Sequence, residues 1–242
     1  MSVFAEKLRK AHHSRCSVVV VAAGSSTRMG ADKLLLELGG KPILAHTLTA
    51  LNSCGAVDEI IVVTRADLLE RVSAMRSEYM LSKLSRIVLG GSTRTESALA
   101  GVSETDPRAK IICIHDGARP FVTEAVIEDA VHQAVLHHAA VPAVPMKDTV
   151  KRAADGVVTD TPERASLFSV QTPQAFDADI IKAALTKAVQ QGLSYTDDCA
   201  AAEALGVKAH LSLGDEQNIK VTTPADLILC EAIFRQRGGS EK

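Results

Sequence analysis

The sequence predicts an α/β fold, a mostly parallel sheet flanked by helices, and three observations predict it. Apolar, β-branched runs alternate with amphipathic stretches up to about Pro145, the pattern that βαβ units produce. The first such run, Val18 to Val21, is apolar at every position, as a strand covered on both faces must be. The 242 residues, 46% hydrophobic and 23% charged, suffice for a full core in one domain, expected over 16–237, and argue against two unrelated domains.

The elements follow in order. Strands are expected at 17–22, 59–64, 86–89, 110–115 and 140–144, where β-prone apolar residues cluster between turn signals. Between them, Ile43, Leu44, Thr47, Leu48 and Leu51 repeat at helical spacing after Pro42, a residue tolerated in a first turn. Stretches 68–80, 95–102 and 123–138 behave alike. The last opens on Thr123 and keeps Val126, Ile127, Ala130, Val131 and Ala134 on one face. After Pro145 the rhythm changes. Segment 147–171 mixes short β-prone pieces (149–151, 157–159, 167–170) with the turn pair Asp155-Gly156, which reads as a protruding β-arm outside the main sheet. Such an arm cannot bury itself and needs a partner. Helices at 177–190 and 197–205, a strand at 208–213 and a last helix from Pro224 complete the chain, with frayed ends at 1–15 and 238–242.

Composition excludes several function classes. A formal charge of -2 gives no global attraction to nucleic acid or to an anionic membrane. The five cysteines are scattered without a C-x-x-C pair, mostly inside apolar segments, which suits a reducing compartment. The first fifteen residues lack the apolar core of a signal peptide, and no run approaches the ~18 apolar residues of a membrane span. A soluble, cytoplasmic protein is expected. The histidines lack metal-site spacing and read as surface residues, His115 beside Asp116 being the possible exception.

Three segments carry chemistry. The first strand stops in Ala22-Ala-Gly-Ser-Ser-Thr-Arg-Met-Gly30, with Lys33 close behind. Neither the G-x-G-x-x-G fingerprint nor a Walker loop fits, since Gly24 precedes two serines and Gly30 precedes Ala31. A loop of small residues lets backbone N–H groups approach a polyphosphate, and Arg28 and Lys33 supply two cations suited to phosphoryl or nucleotidyl transfer. Solvated loop cations would look the same. Gly90-Gly-Ser-Thr-Arg-Thr-Glu-Ser97 follows a strand and opens a helix; its glycines allow close approach of a planar ligand, and Ser92 and Ser97 can meet a base edge. A sharp turn with a helix cap would also explain it. Ile114-His-Asp-Gly-Ala-Arg-Pro120 ends another strand, where open α/β sheets bind ligands. There Asp116 is placed as a hard oxygen ligand for Mg²⁺ and Arg119 as a partner for an anion, or Asp116 caps a helix with Arg119 beside it. Downstream, Lys220 stands out as a lone cation between Ile219 and Val221.

Taken together, Ala22 to Met29 with Lys33, Gly90-Gly91 with Ser97, His115 to Pro120, Asp148-Thr149, Arg164, Thr172-Pro-Gln174, Thr196-Asp197 and Asn218 to Thr222 resemble the 2-C-methyl-D-erythritol 4-phosphate cytidylyltransferase family. The resemblance runs in order from about Ser17 to the last helix. It implies the Rossmann-like nucleotidyltransferase fold and a reaction in which the phosphate of methylerythritol phosphate attacks the α-phosphorus of CTP and releases pyrophosphate. It also implies roles. Arg28 and Lys33 would stabilise the transition state; Ala22, Ala23, Gly24, Gly90, Ser92 and Ser97 would hold the cytidine, and Ser25 and Ser26 the triphosphate. Asp116 would meet Mg²⁺ and the nucleotide. Arg164 and Lys220 would position the attacking phosphate with Arg119, Thr149 and Thr172. The arm would exchange between two subunits, so that Arg164 and Thr149 serve the partner's site in a homodimer.

One departure stands out: members commonly write Pro-Lys-Gln where this chain has Asp32-Lys33-Leu34, and Asp32 would either lower the effective charge of Lys33 or help order the loop. A cytidylyltransferase for ribitol 5-phosphate or another polyol phosphate shares nearly all these motifs. A non-catalytic nucleotide sensor is the alternative from another class, against which the retained cations argue.

Overall fold

The computed structural model describes residues 14–24 and 32–239. Strand β1 (Cys16–Ala22) is followed by a small hairpin of β2 (Glu37–Leu38) and β3 (Lys41–Pro42), helix α1 (Ile43–Ser53), β4 (Glu59–Thr64), α2 (Leu69–Glu78), β5 (Leu84–Leu89), α3 (Arg94–Ser103) and β6 (Ile111–Asp116). Then come α4 (Glu124–His137), β7 (Ala139–Pro145), the hairpin β8 (Arg152–Ala154) and β9 (Val157–Asp160), β10 (Phe168–Val170), β11 (Gln174–Asp177), α5 (Ala178–Gln190), α6 (Asp198–Glu203), β12 (His210–Leu213) and α7 (Pro224–Gln236).

Four of the five strands expected up to Pro145 run side by side and parallel in the order β6, β1, β4, β5, and the fifth, β7, lies beyond β6 with one strand between them. From β1 the chain steps outward through β4 to β5 and then returns to the other side of β1 as β6. That reversal leaves a crevice at the carboxyl ends of β1 and β6, where sheets of this kind take ligands. Alternate residues of β1 feed two cores. Val18 and Val20 share a core with α1, α2, α4 and α7 through Leu44, Leu48, Met75, Ile127 and Cys230, and Val19 shares one with α3 and α5 through Ala98, Val102 and Ile181. Helix α3 lies so close to the sheet that a Cβ on Gly101 would stand 2.3 Å from Val19 Cγ1 and 2.5 Å from Val63 Cγ2. Any side chain there would force helix and sheet apart.

The remaining strands extend the sheet beyond β6. Short β11 inserts antiparallel between β6 and β7, β10 continues on the same edge of β7, and β12 runs parallel along its other edge. The sequence reading misses β11, a four-residue strand just behind Pro173, and the two-residue strands β2 and β3. It also draws the arm too wide: 167–170 returns to the main sheet as β10, and 149–151 is not a strand. The hairpin proper, 152–160, turns on Asp155 and Gly156 with φ of 49° and 77°, the left-handed pair a tight hairpin needs. Every residue of β8 and β9 is exposed. Arg15, expected to fray, is tied down: its carbonyl accepts from the N–H groups of Lys110 and Ile111, and its guanidinium meets Asp106 at 2.8 Å.

Candidate active site

Three strand ends and one helix N-terminus converge on the crevice. Ala22, Ala23 and Gly24 leave β1, Gly91 and Ser92 follow β5, Asp116 ends β6, and Arg94 and Ser97 sit on the first turn of α3; together with Lys33 and Lys220 they line a cavity of about 470 Å³. Gly90 lies just behind, where a Cβ would stand 2.5 Å from that of Ala23, so only glycine lets the β5 loop close against the end of β1. The first turn of α3 is locked by a reciprocal cap. Thr93 accepts from the Glu96 N–H at 3.1 Å and the Glu96 carboxylate accepts from the Thr93 N–H at 3.0 Å. The hydroxyls expected to meet a base are tethered to that same turn, Ser92 donating to Glu96 Oε2 at 2.5 Å and Ser97 to the Thr93 carbonyl at 2.9 Å.

Asp116 is the electrostatic centre. It is 8% exposed, which alone would push its carboxyl up, yet three cations face it: Lys220 Nζ at 2.9 Å, Arg119 Nε at 3.5 Å and Arg94 at 4.0 Å. They outweigh burial and hold the carboxyl down at about 2, so it is ionised. Below it the Asp116 N–H donates to Thr172 Oγ1 at 3.1 Å, and that hydroxyl lies 3.0 Å from His115 Nδ1. Complete burial pulls the imidazole down to about 4. His115 is therefore a neutral core residue at pH 7, the exception to the surface reading of the histidines.

Lys220 reaches this point because its segment is stitched to the β6 side. Val221 N–H donates to the Ala118 carbonyl at 2.9 Å, Arg119 donates to the Asn218 carbonyl at 2.6 Å, and the Asn218 amide donates to the Thr172 carbonyl at 3.0 Å. Arg119 and Thr172 thus stand beneath the cavity and brace its wall. Two expected residues lie elsewhere in this chain. Thr149 is exposed, and Arg164 is exposed beside the hairpin with its guanidinium on the Lys147 carbonyl at 3.1 Å. Ser25, Ser26 and Arg28 lie outside the described residues.

The sequence reading missed Arg94. It lines the cavity and forms a two-point pair with Asp198, at 2.8 and 2.6 Å, across 104 positions of chain. Burial raises the Asp198 carboxyl, and Arg94 opposes the shift. Asp198 stands at the start of α6, where the Gln174 side-chain carbonyl accepts from the N–H groups of Asp198 and Cys199. The one available signal was an arginine inside a glycine- and serine-rich helix start.

A divalent cation fits this arrangement in one way only. No group of three His, Cys, Asp or Glu forms a cation cage among the described residues, and Asp116 is the sole carboxylate among those lining the cavity. Magnesium is commonly held by one or two carboxylates with the remaining ligands from substrate phosphates. Asp116, ionised at the mouth of β6, would supply that carboxylate.

Comparison with known proteins identifies the family and the fold. The family model of 2-C-methyl-D-erythritol 4-phosphate cytidylyltransferase (IspD) matches residues 16–236. A relative of that name from Halalkalibacterium halodurans is 43% identical over 223 residues, 91% of this chain and 97% of its own length. The crystal structure of 4-diphosphocytidyl-2C-methyl-D-erythritol synthase from Anaerococcus prevotii superposes with a TM-score of 0.82 at 31% identity, covering 92% of this chain and 99% of that one. The Thermus thermophilus cytidylyltransferase structure gives 0.76 at 29% identity, covering 91% and 99%.

Proposed function

The chain belongs to the 2-C-methyl-D-erythritol 4-phosphate cytidylyltransferase family, and from that premise we infer how its residues divide the work of the reaction. A phosphate oxygen of methylerythritol phosphate attacks the α-phosphorus of CTP; pyrophosphate leaves and 4-diphosphocytidyl-2-C-methyl-D-erythritol forms, a step toward isoprenoid precursors. The observation that carries the assignment of roles is the ring of cations around ionised Asp116 at the β1–β6 crevice.

The attacking group is already a phosphate with an ionised oxygen, so no general base is required. The task is to bring two anions together. Ala22 to Gly24, Gly90, Ser92 and Ser97 bound the nucleotide side, with Ser25 and Ser26 on the triphosphate. Arg28 and Lys33 neutralise charge growing at the α-phosphorus, where loss of one fixed contact typically costs about 3–4 kcal/mol of barrier. Lys220 offers its ammonium from beside Asp116 to the attacking phosphate, and Arg119 and Thr172 keep its segment in place. Asp116 would hold Mg²⁺ together with the triphosphate, and the cation would supply positive charge against the phosphates.

The exposed hairpin and its neighbours Thr149 and Arg164 support a homodimer in which each arm serves the other subunit's site. A two-stranded ribbon with no buried residue is marginal alone, and Val157 and Val158 are 66% and 55% exposed on it. No helix is long and apolar enough to cross a membrane among the described residues, in keeping with a cytoplasmic enzyme acting on small phosphorylated substrates.

The test is pyrophosphate release by the purified protein given CTP, Mg²⁺ and one polyol phosphate at a time. Turnover with methylerythritol phosphate is expected. Turnover with ribitol 5-phosphate alone would overturn the substrate assignment, and CTP binding without turnover of any polyol phosphate would make the protein a sensor.

A further inference from the structure

Arg65, the residue after β4, reaches sideways across the end of β1 and bonds through all three guanidinium nitrogens. Nη1 donates to the Gly24 carbonyl at 3.0 Å, and Nη2 to Asp32 Oδ2 at 2.5 Å. Nε and Nη2 each lie 3.0 Å from an Asp67 oxygen, which fixes the plane of the fork. Gly24 and Asp32 are the described residues on either side of 25–31, so one side chain joins the two strands of chain that border that segment.

Asp32 passes the restraint on. Its Oδ1 accepts from the Leu34 N–H at 3.1 Å and its carbonyl from the Leu35 N–H at 2.9 Å, while the Leu34 carbonyl accepts from Leu44 at the start of α1 at 3.0 Å. The turn so held carries Lys33 and Leu34, both lining the cavity, and the other end of the tie is Gly24, which lines it too. An isolated surface ion pair would contribute little. A planar fork held at three points is a different object: its donors are pre-organised, and a lysine cannot reproduce them.

We propose that Arg65 is a positioning residue for nucleotidyl transfer, a clamp that sets the Lys33 turn at a fixed separation from the Ala22–Gly24 wall before CTP arrives. The proposal rests on the reaction assigned above. It also answers the question raised by Asp32, whose carboxylate serves as the clamp's anchor point. Preorganisation of this kind raises affinity by sparing the ligand the cost of ordering the turn.

The experiment compares the full-length wild type with Arg65→Ala, Arg65→Lys, Asp32→Asn and the double variant Arg65→Ala/Asp32→Asn. Amide hydrogen exchange at Leu34 and Leu35 is read alongside kcat and the two KM values. In Arg65→Ala we expect exchange at both amides to accelerate roughly tenfold and KM for CTP to rise roughly tenfold, with KM for methylerythritol phosphate unmoved and the melting temperature within about 2 °C, as for loss of a surface contact. Arg65→Lys should not rescue, and Asp32→Asn should add little once Arg65 is gone. Unchanged exchange overturns the clamp whatever the activity. Equal changes in both KM values, or fully additive losses in the double variant, reduce Arg65 to a structural contact and overturn its positioning role. A wild type that turns over no CTP overturns the reaction reading, and the catalytic sense of the clamp with it, while the exchange data still report whether the tie exists.

Discussion

At the scale of single residues, charge at this site is managed by pairing, and the Arg94–Asp198 pair shows its cost. Asp198 is 1% exposed, so its ionised form depends on the two bonds from Arg94. Truncating the arginine alone leaves a buried, uncompensated carboxylate. We expect Arg94→Ala to lose about 3–5 kcal/mol in urea unfolding, and Arg94→Met/Asp198→Leu to recover most of it, because a buried pair replaced together is often nearly neutral. Additive losses in that cycle would show that the pair is not the unit. Legibility in the sequence follows the same division. Lys220 was readable because a cation between Ile219 and Val221 contradicts its surroundings. Arg94 was not, because what distinguishes it is a partner 104 positions away. Thr172 was readable as part of a motif, but its hydroxyl is engaged beneath Asp116, a fact carried by the fold.

At the scale of elements, the central strands were legible because they are buried on both faces, the more exposed β5 and β12 were legible from β-prone runs between turn signals, and the strands that were missed depend on neighbours. Val18 to Val20 can hardly be anything but a central strand, each being 0% exposed. Gln174–Asp177 is a strand only because β6 and β7 leave a gap for it, and no local periodicity announces that. The β8–β9 hairpin was legible through Asp155-Gly156, although its strands fall on residues chosen by the turn's register rather than by β-propensity. Its function as an arm can be tested directly. Val157→Asp/Val158→Asp should leave the main sheet intact, since both residues are exposed on a hairpin that pairs as a separate two-stranded sheet, and shift sedimentation from dimer to monomer at micromolar concentration. Activity should fall in parallel if Arg164 and Thr149 serve the neighbouring subunit. A dimer that persists with both charges present would place the interface elsewhere.

At the scale of the whole molecule, two buried groups at the crevice make stability depend on pH, in adjoining windows. His115 titrates at about 4 in the fold against about 6.5 in an unfolded chain. As pH falls from about 6.5 to 4 the unfolded chain gains a proton that the folded one refuses, which removes roughly 3 kcal/mol. Asp116, at about 2 when folded, works lower: its stabilisation is present above the usual carboxylate pKa and is lost as pH falls through about 2. Urea melts at pH 7, 5.5 and 4 should therefore show a decline that His115→Asn flattens; an equal slope in the variant would mean that other groups set it. The strand order has a further consequence, for the growing chain. β1, β4, β5 and β6 are all made by residue 116, so that side of the crevice can assemble while the rest is still being synthesised, but Lys220 joins Asp116 only after another hundred or so residues have been added. Until then Asp116 has, among the described residues, Arg94 and Arg119 for company, and a polypeptide emerging from the ribosome possesses the crevice well before it possesses the lysine proposed to meet the attacking phosphate.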